Sequence, residues 1–208
     1  MSLHLITNGK QPFVQFIEIA RMIDSYIDVF HIREKHLSAK ELYEGVDSLL
    51  KAGISPRKVI INDRADVAAS LGVRGVQLAH HSLPIEVVRA TFPNLMIGCS
   101  THSVAEGERA EKGGASFTLF GHIFESTSKP GLQPKGCDTL KAFCAEMTIP
   151  VVAIGGITPE KVESVWQQGV SGIAVMSGIL ESEDPVHTAR AYKEAIRRVK
   201  GGYHEKNV

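Results

Sequence analysis

The sequence predicts a closed (β/α)8 barrel of the TIM type, formed by one domain that spans residues 1–208. Eight short runs rich in β-branched residues alternate with segments in which apolar residues recur at helical spacing. Several of the short runs are apolar on both faces, as expected for parallel strands that are covered by helices. No linker or low-complexity tract separates the units. Eight such units in one domain form a closed barrel more often than an open sheet.

The predicted strands are short and mainly aliphatic. In chain order they are residues 3–6, 29–32, 59–61, 75–78, 96–98, 117–120, 151–154 and 173–176. An open sheet of the dinucleotide-binding type would need a G-x-G-x-x-G turn after its first strand. Residues 7–10 read Thr-Asn-Gly-Lys and do not match that turn. The barrel therefore remains the preferred architecture, with its chemistry expected at the carboxyl ends of the strands.

The helices between these strands carry their own start and stop signals. Ser38 with Glu41, and Ser103 with Glu106, have the spacing of capping boxes. Glycines are expected just after helices, and three of them are placed in this way: Gly53, Gly113 and Gly169.

The composition argues against several classes of partner. The formal net charge is +0, so the chain lacks the general attraction that basic proteins have for nucleic acids or anionic membranes. No apolar run has the length of a signal peptide or a transmembrane helix. Cys99, Cys137 and Cys144 match no zinc spacing and cannot all pair as disulfides. We therefore expect reduced cysteines in a cytoplasmic protein.

Glycine-containing turns follow the last two predicted strands. Gly155 and Gly156 come after the seventh strand, and Ser177 and Gly178 come after the eighth. In barrels, the loops at these two places often bind phosphate through backbone N–H groups. The hydroxyl of Ser177 could add a donor. Ordinary turn glycines are the alternative interpretation, but their occurrence at both places favours a phosphate site.

Six motifs occur in chain order, at residues 31–35, 61–64, 97–103, 120–129, 150–157 and 172–179. Together they resemble the thiamine phosphate synthase superfamily over nearly the whole chain. The resemblance implies one of two activities. The synthase is a magnesium-dependent transferase that joins a pyrimidine diphosphate to a thiazole phosphate. The TenI-type thiazole tautomerase is an isomerase that aromatises a thiazole carboxylate phosphate without a metal.

Two departures from the synthase pattern favour the tautomerase. Residues 79–82 read Ala-His-His-Ser where the synthase has an acidic pair, and magnesium prefers oxygen ligands to histidine. Asp63 remains as a single carboxylate. After the sixth strand, His122 stands where the synthase has proline, and the tautomerase's catalytic histidine maps onto it. We therefore expect a thiazole tautomerase of thiamine biosynthesis that uses no cofactor and no metal.

The resemblance also implies a set of site residues. His122 would be the general acid–base group, since an imidazole titrates at about pH 6.5. Arg33, Lys35 and Lys129 are the candidate cations for the carboxylate of a phosphorylated thiazole substrate. The full set of implied substrate-binding residues is Arg33, Lys35, Asn62, Ser100, Ser126, Ser128, Lys129, Gly155, Gly156, Met176, Ser177 and Gly178.

Each assignment has a simpler alternative. His122 could be a strand-end histidine that is hydrogen-bonded to the backbone. Arg33 and Lys35 would share one face of an extended strand, and one of them could instead form a surface salt bridge with Glu34. Trp166 lies on a predicted helix, where it would either pack against the barrel or anchor the interface of a homodimer.

Two other functions remain open at this point. One is the magnesium-dependent thiamine phosphate synthase. The other is a non-catalytic regulator that binds thiazole phosphate.

Overall fold

The structure, a computed structural model, describes residues 1–126 and 131–204, without the side chains of 202–204. The predicted fold class is confirmed: eight parallel strands close into a barrel in the order β1 to β8. The pairing of β1 with β8 closes the ring. Among the described residues, no helix combines the length and apolar character that crossing a membrane requires.

The strands and helices alternate along the chain. The strands are β1 Ser2–Ile6, β2 Val29–Ile32, β3 Val59–Asn62, β4 Gly75–Leu78, β5 Met96–Thr101, β6 Phe117–Gly121, β7 Val151–Ile154 and β8 Gly172–Val175. The helices are α1 Phe13–Ile23, α2 Ala39–Lys51, α3 Ala65–Ser70, α4 Ile85–Thr91, α5 Val104–Lys112, α6 Gly136–Glu146, α7 Val162–Trp166, α8 Ser177–Leu180 and α9 Pro185–His204. Short 3-10 helices at Pro56–Lys58 and Pro159–Lys161 precede β3 and α7.

Strand β5 is longer than the sequence predicted. The sequence predicts its end at residue 98. In the barrel, Ser100 pairs with Leu119 and Thr101 pairs with Phe120 of β6. Strand pairing uses backbone groups, so polar side chains can continue a strand where the barrel interior is itself polar. Met176 lies just beyond β8 and precedes α8.

The helix caps agree with the sequence at one position and differ at another. Ser38 and Glu41 form a complete capping box at the start of α2. At α5, Ser103 accepts the backbone N–H of Glu106 as expected. The carboxylate of Glu106 accepts instead from the backbone N–H of His102, at 2.7 Å. The predicted second capping box is therefore wrong in its reciprocal half, since Glu106 reaches one residue further back.

The barrel has an apolar interior that also contains two buried histidines. Its apolar part is formed by inward-facing residues of six strands: Ile6, Val29, Ile60, Phe117, Leu119, Val152 and Ala174. Inside this layer, Nδ1 of His4 lies 2.9 Å from Nε2 of His31. Nε2 of His4 lies 2.9 Å from the hydroxyl of Ser2. Burial lowers the pKa of His4 to about 4 and places the pKa of His31 well below its usual range.

These buried histidines should make stability depend on pH. A histidine in the unfolded chain binds a proton near pH 6.5, whereas folded His4 does so only near pH 4. The unfolded state therefore binds more protons over this interval, and the free energy of unfolding falls as pH is lowered through it. For His4 alone the full loss is on the order of 3 kcal/mol. Denaturant titrations between these pH values measure the decline.

Two histidine variants test whether the pH dependence of stability comes from a buried or an exposed histidine. His4→Gln should weaken the decline, because the group that titrates differently in the two states is gone. His187→Gln changes an exposed histidine and should leave the pH profile as it is. Equal profiles for wild type and His4→Gln would contradict this account.

Candidate active site

The carboxyl ends of the strands bring most of the predicted site residues to one end of the barrel. Arg33 follows β2, Asn62 ends β3, His122 follows β6, Gly155 follows β7 and Met176 follows β8. Because all eight strands run parallel, these positions meet at the same end. We call this end the carboxyl end of the barrel.

A row of polar side chains crosses three neighbouring strands on the inside of this end. Asn62 of β3 pairs with Gln77 of β4, and the amide Nε2 of Gln77 donates to the hydroxyl of Ser100 on β5 at 3.0 Å. Within the described residues, Oδ1 of Asn62 and Oε1 of Gln77 are buried without a hydrogen-bond partner. A buried amide oxygen without a partner is costly, so this row is suited to bind a polar ligand.

Gln77 is a site residue that the sequence analysis missed. It is 1% exposed and is the only polar side chain in a strand otherwise formed by Gly75, Val76 and Leu78. That contrast was a usable signal, because a buried polar group in an apolar strand needs a partner.

The basic residues after β2 do not share a strand face. The strand ends at Ile32, so Arg33 is half-buried while Lys35 lies exposed in a turn. The backbone N–H of Arg33 donates to the hydroxyl of Thr7 at 2.8 Å, which fixes this loop against the loop after β1. Glu34 is 9% exposed, and its carboxylate lies 3.8 Å from Nδ1 of His36. The expected shared face of Arg33 and Lys35 is therefore wrong, and among the described side chains neither one pairs with Glu34.

His122 is 8% exposed and bonded to backbone. Its Nε2 lies 3.1 Å from the carbonyl oxygen of Leu132, and its own carbonyl accepts from the backbone N–H of Lys135 at 3.0 Å. Both contacts hold residues 131–135 against the end of β6. This geometry is that of the strand-end histidine which the sequence analysis considered as its alternative.

The glycine turn after β7 packs against the segment that follows β6. Gly155 and Gly156 have φ values of +105° and +63°. A Cβ on Gly155 would lie 2.2 Å from Cβ of His122, and one on Gly156 would lie 2.2 Å from the carbonyl oxygen of Glu125. Both positions therefore require glycine for the backbone conformation and for the close approach. The turn thus lies directly beside His122.

A second site residue that the sequence analysis missed, the basic residue Lys161, lies at this turn. Nζ of Lys161 is 3.2 Å from the carbonyl oxygen of Gly156 and 4.5 Å from the ring centroid of Phe124. In the sequence, Lys161 reads as an ordinary lysine at the start of a helix. The fold places its charge beside the predicted phosphate loop.

The loop after β8 is a tight connection into α8. Ser177 begins the helix and is half-buried, and Gly178 is exposed. A Cβ on Gly178 would lie 2.9 Å from the hydroxyl oxygen of Tyr192. Ser126 is half-buried after β6. Two further predicted residues, Ser128 and Lys129, lie outside the described residues.

The residues after β3 and β4 present few metal ligands. His80 and His81 are exposed, and their rings meet edge to face at 5.0 Å between centroids. Asp63 is exposed, with φ of +65°, and its backbone N–H donates to the carbonyl of Gln77 at 2.9 Å. In residues 1–126 and 131–204, no three His, Cys, Asp or Glu side chains group as a metal site.

Comparison with known proteins gives a consistent result over the length of the chain. The chain is 35% identical over 190 residues to the thiamine-phosphate synthase of Chlorobium luteolum, covering 88% of each protein. It is 34% identical over 203 residues to the thiamine-phosphate synthase of Pyrococcus abyssi, covering 97% of each.

These relatives overturn the expected tautomerase. Their shared name is that of a transferase, so the expectation of an isomerase with a catalytic His122 is corrected. The expectation depended on residues 79–82 and on His122, a small part of the chain. The structure bonds the His122 ring to a backbone carbonyl, which is sufficient reason for a histidine at that position.

A solved structure and a family match agree with these relatives. The thiamine phosphate pyrophosphorylase of Pyrococcus furiosus superposes with a TM-score of 0.82 at 29% identity, covering 95% of this chain and 96% of that one. Residues 3–179 match the family described as thiamine monophosphate synthase. On this match and these relatives, the chain belongs to the thiamine monophosphate synthase family.

Proposed function

We propose that this protein is a thiamine-phosphate synthase, a transferase that joins a pyrimidine diphosphate to a thiazole phosphate. The observation that carries the proposal is the 34% identity to the Pyrococcus abyssi synthase over 97% of both chains. In the reaction, the thiazole nitrogen forms a bond to the methylene carbon of the pyrimidine. The bond from that carbon to the diphosphate oxygen breaks, and pyrophosphate leaves with the electron pair.

The thiazole phosphate is proposed to bind between the loops after β7 and β8. The positive φ values of Gly155 and Gly156 support this role, since such turns expose backbone N–H groups to an anion. Lys161 adds a positive charge beside Gly156. The other proposed contacts with this substrate are Ser100, Ser126, Ser128, Met176, Ser177 and Gly178. A thiazole carboxylate is not part of this proposal, since it belonged to the tautomerase.

The diphosphate is proposed to bind the basic residues Arg33, Lys35 and Lys129. Among the described residues, no salt bridge occupies Arg33 or Lys35. A guanidinium can donate two parallel hydrogen bonds to phosphate oxygens. The half-buried Arg33 therefore suits the orientation of the diphosphate, and exposed Lys35 suits neutralisation of its charge.

The donors beside β3 and β4 fit a magnesium ion that is held mainly by the substrate. Asp63 offers one carboxylate, and Oδ1 of Asn62 is a buried oxygen without a partner among the described residues. Magnesium in phosphate sites is commonly bound by one or two protein oxygens, with water and phosphate completing its shell. When bound, the ion would neutralise the leaving diphosphate. The sequence analysis expected no metal because it expected a tautomerase, whereas the proposed transferase requires magnesium, so the effect of a chelator on product formation distinguishes the two.

Three broader expectations stay predictions. A cytoplasmic location agrees with Cys99, Cys137 and Cys144, which are all free thiols. The absence of nucleic-acid and membrane partners agrees with the net charge of +0. A homodimer gains no support from Trp166, because that side chain packs against the barrel core.

The proposed activity predicts that the purified protein forms thiamine phosphate and pyrophosphate from hydroxymethylpyrimidine diphosphate and hydroxyethylthiazole phosphate. Product should require magnesium and should disappear when a chelator is added. Chromatographic detection of thiamine phosphate, after oxidation to its fluorescent thiochrome derivative, measures it. Absence of product under conditions in which the Pyrococcus abyssi synthase turns over would overturn the proposal.

Replacement of Arg33 tests the proposed diphosphate site. Arg33→Ala should raise KM for the pyrimidine diphosphate roughly 10- to 100-fold, the usual effect of losing charged hydrogen bonds. Arg197→Ala removes an exposed arginine at the opposite end of the barrel and serves as the control. Equal KM values for the two variants would remove Arg33 from the site.

Two glycine variants with matched backbone strain test the phosphate loop. Gly155 and Gly53 have nearly the same φ, +105° and +104°, but nothing lies within 4 Å of a Cβ on Gly53. Gly53→Ala should therefore cost only the strain, about 1 kcal/mol. Gly155→Ala adds the collision with His122, so it should lower stability further and raise KM for the thiazole phosphate. Thermal denaturation and steady-state kinetics measure both effects, and similar results for the two variants would contradict the close packing.

A further inference from the structure

The phenol of Tyr192 connects the C-terminal helix to the proposed phosphate loops. Tyr192 lies on α9 and is 2% exposed. Its hydroxyl donates to the carbonyl oxygen of Ile157 at 2.7 Å. Ile157 directly follows the turn formed by Gly155 and Gly156. The hydroxyl group of a residue far away in the chain therefore fixes the end of this turn.

The same hydroxyl group also lies close to Gly178 in the first turn of α8, the helix that follows β8. A Cβ on Gly178 would lie 2.9 Å from the Tyr192 oxygen and 3.0 Å from Cγ1 of Val175. A glycine at position 178 thus lets the first turn of α8 approach the phenol closely. One oxygen atom consequently lies between the loop after β7 and the loop after β8.

The Tyr192 hydroxyl is suited to act as a permanent donor. Burial raises the pKa of this phenol to about 12, with a further contribution from the charge of Glu160. The group is therefore protonated throughout the pH range in which the protein would work. It keeps its hydrogen bond to Ile157 over that whole range.

We propose that Tyr192 is a positioning residue that sets the spacing of the two phosphate-binding loops. The inference rests on the proposed function, because it assumes that both loops hold the phosphate of the thiazole substrate. A phosphate site made of backbone N–H groups depends on their directions, and small displacements weaken all the hydrogen bonds at once. The phenol itself does not touch the substrate; it acts through Ile157 and Gly178.

The variant Tyr192→Phe removes the hydroxyl and keeps the ring. The carbonyl of Ile157 then lacks its partner, and the loop after β7 is free to shift. We expect the affinity for hydroxyethylthiazole phosphate, measured by titration calorimetry, to fall about 10-fold. Affinity for hydroxyethylthiazole, which has no phosphate, should stay within about 2-fold. In turnover, KM for the thiazole phosphate should rise while kcat changes little.

Two control variants separate positioning from general loss of stability. Tyr26→Phe removes a hydroxyl from a half-buried tyrosine beyond the end of α1, and should leave both affinities unchanged. Val46→Ala truncates a buried side chain of α2 and lowers stability away from the loops. It should lower the melting temperature without changing the preference for the phosphorylated thiazole.

The possible outcomes test the role of Tyr192 separately from the proposed phosphate site. If the wild type prefers the phosphorylated thiazole and Tyr192→Phe keeps the full preference, the role of Tyr192 is wrong and the phosphate site stands. If the wild type binds both thiazoles equally, the phosphate site itself is wrong, and both proposals fall. If Val46→Ala loses the preference as strongly as Tyr192→Phe, the effect is one of stability, and the positioning role is rejected.

Discussion

Parallel pairing of neighbouring strands around a closed ring is the constraint on which the other features of this protein depend. Each strand pairs with the next, and β8 pairs with β1. Because all the strands point the same way, every connection out of a strand begins at the same end of the barrel. Residues that are far apart along the chain, such as Arg33 and Gly155, therefore lie at the same end of the barrel. Their loops need not contact each other for this to happen.

Within this ring, the alternation of strand residues decides what faces inward. Away from the carboxyl end, the barrel interior is apolar, apart from the buried contact between His4 and His31. Toward the carboxyl end, the same inward positions hold Asn62, Gln77 and Ser100, of which the last two are hydrogen-bonded. The change from apolar to polar along one face has a physical meaning. Buried apolar side chains need no hydrogen-bond partners, whereas buried amide groups do. The amide oxygens of Asn62 and Gln77 have no such partner among the described residues.

The activity is best judged from the whole chain. The two local departures, at residues 79–82 and at His122, suggested an isomerase. Identity of 34–35% over most of both chains connects the protein to transferases. The structure accounts for His122 through its bond to the carbonyl of Leu132, so the replacement of proline does not by itself require proton-transfer chemistry. A histidine whose ring nitrogen holds a loop in place is an alternative explanation for the residue at this position.

The sequence by itself determined the fold class, the approximate positions of all eight strands, the capping box at Ser38 and the glycine turn after β7, because these depend mainly on patterns among residues that are neighbours along the chain. Only the tertiary structure decided the end of β5, the partner of His122, and the places of Gln77 and Lys161 beside the site. It also decided the contact between Tyr192 and Ile157, which are 35 residues apart. Such contacts depend on how strands and helices pack across the barrel, and hydrophobic periodicity carries no information about which distant groups will meet.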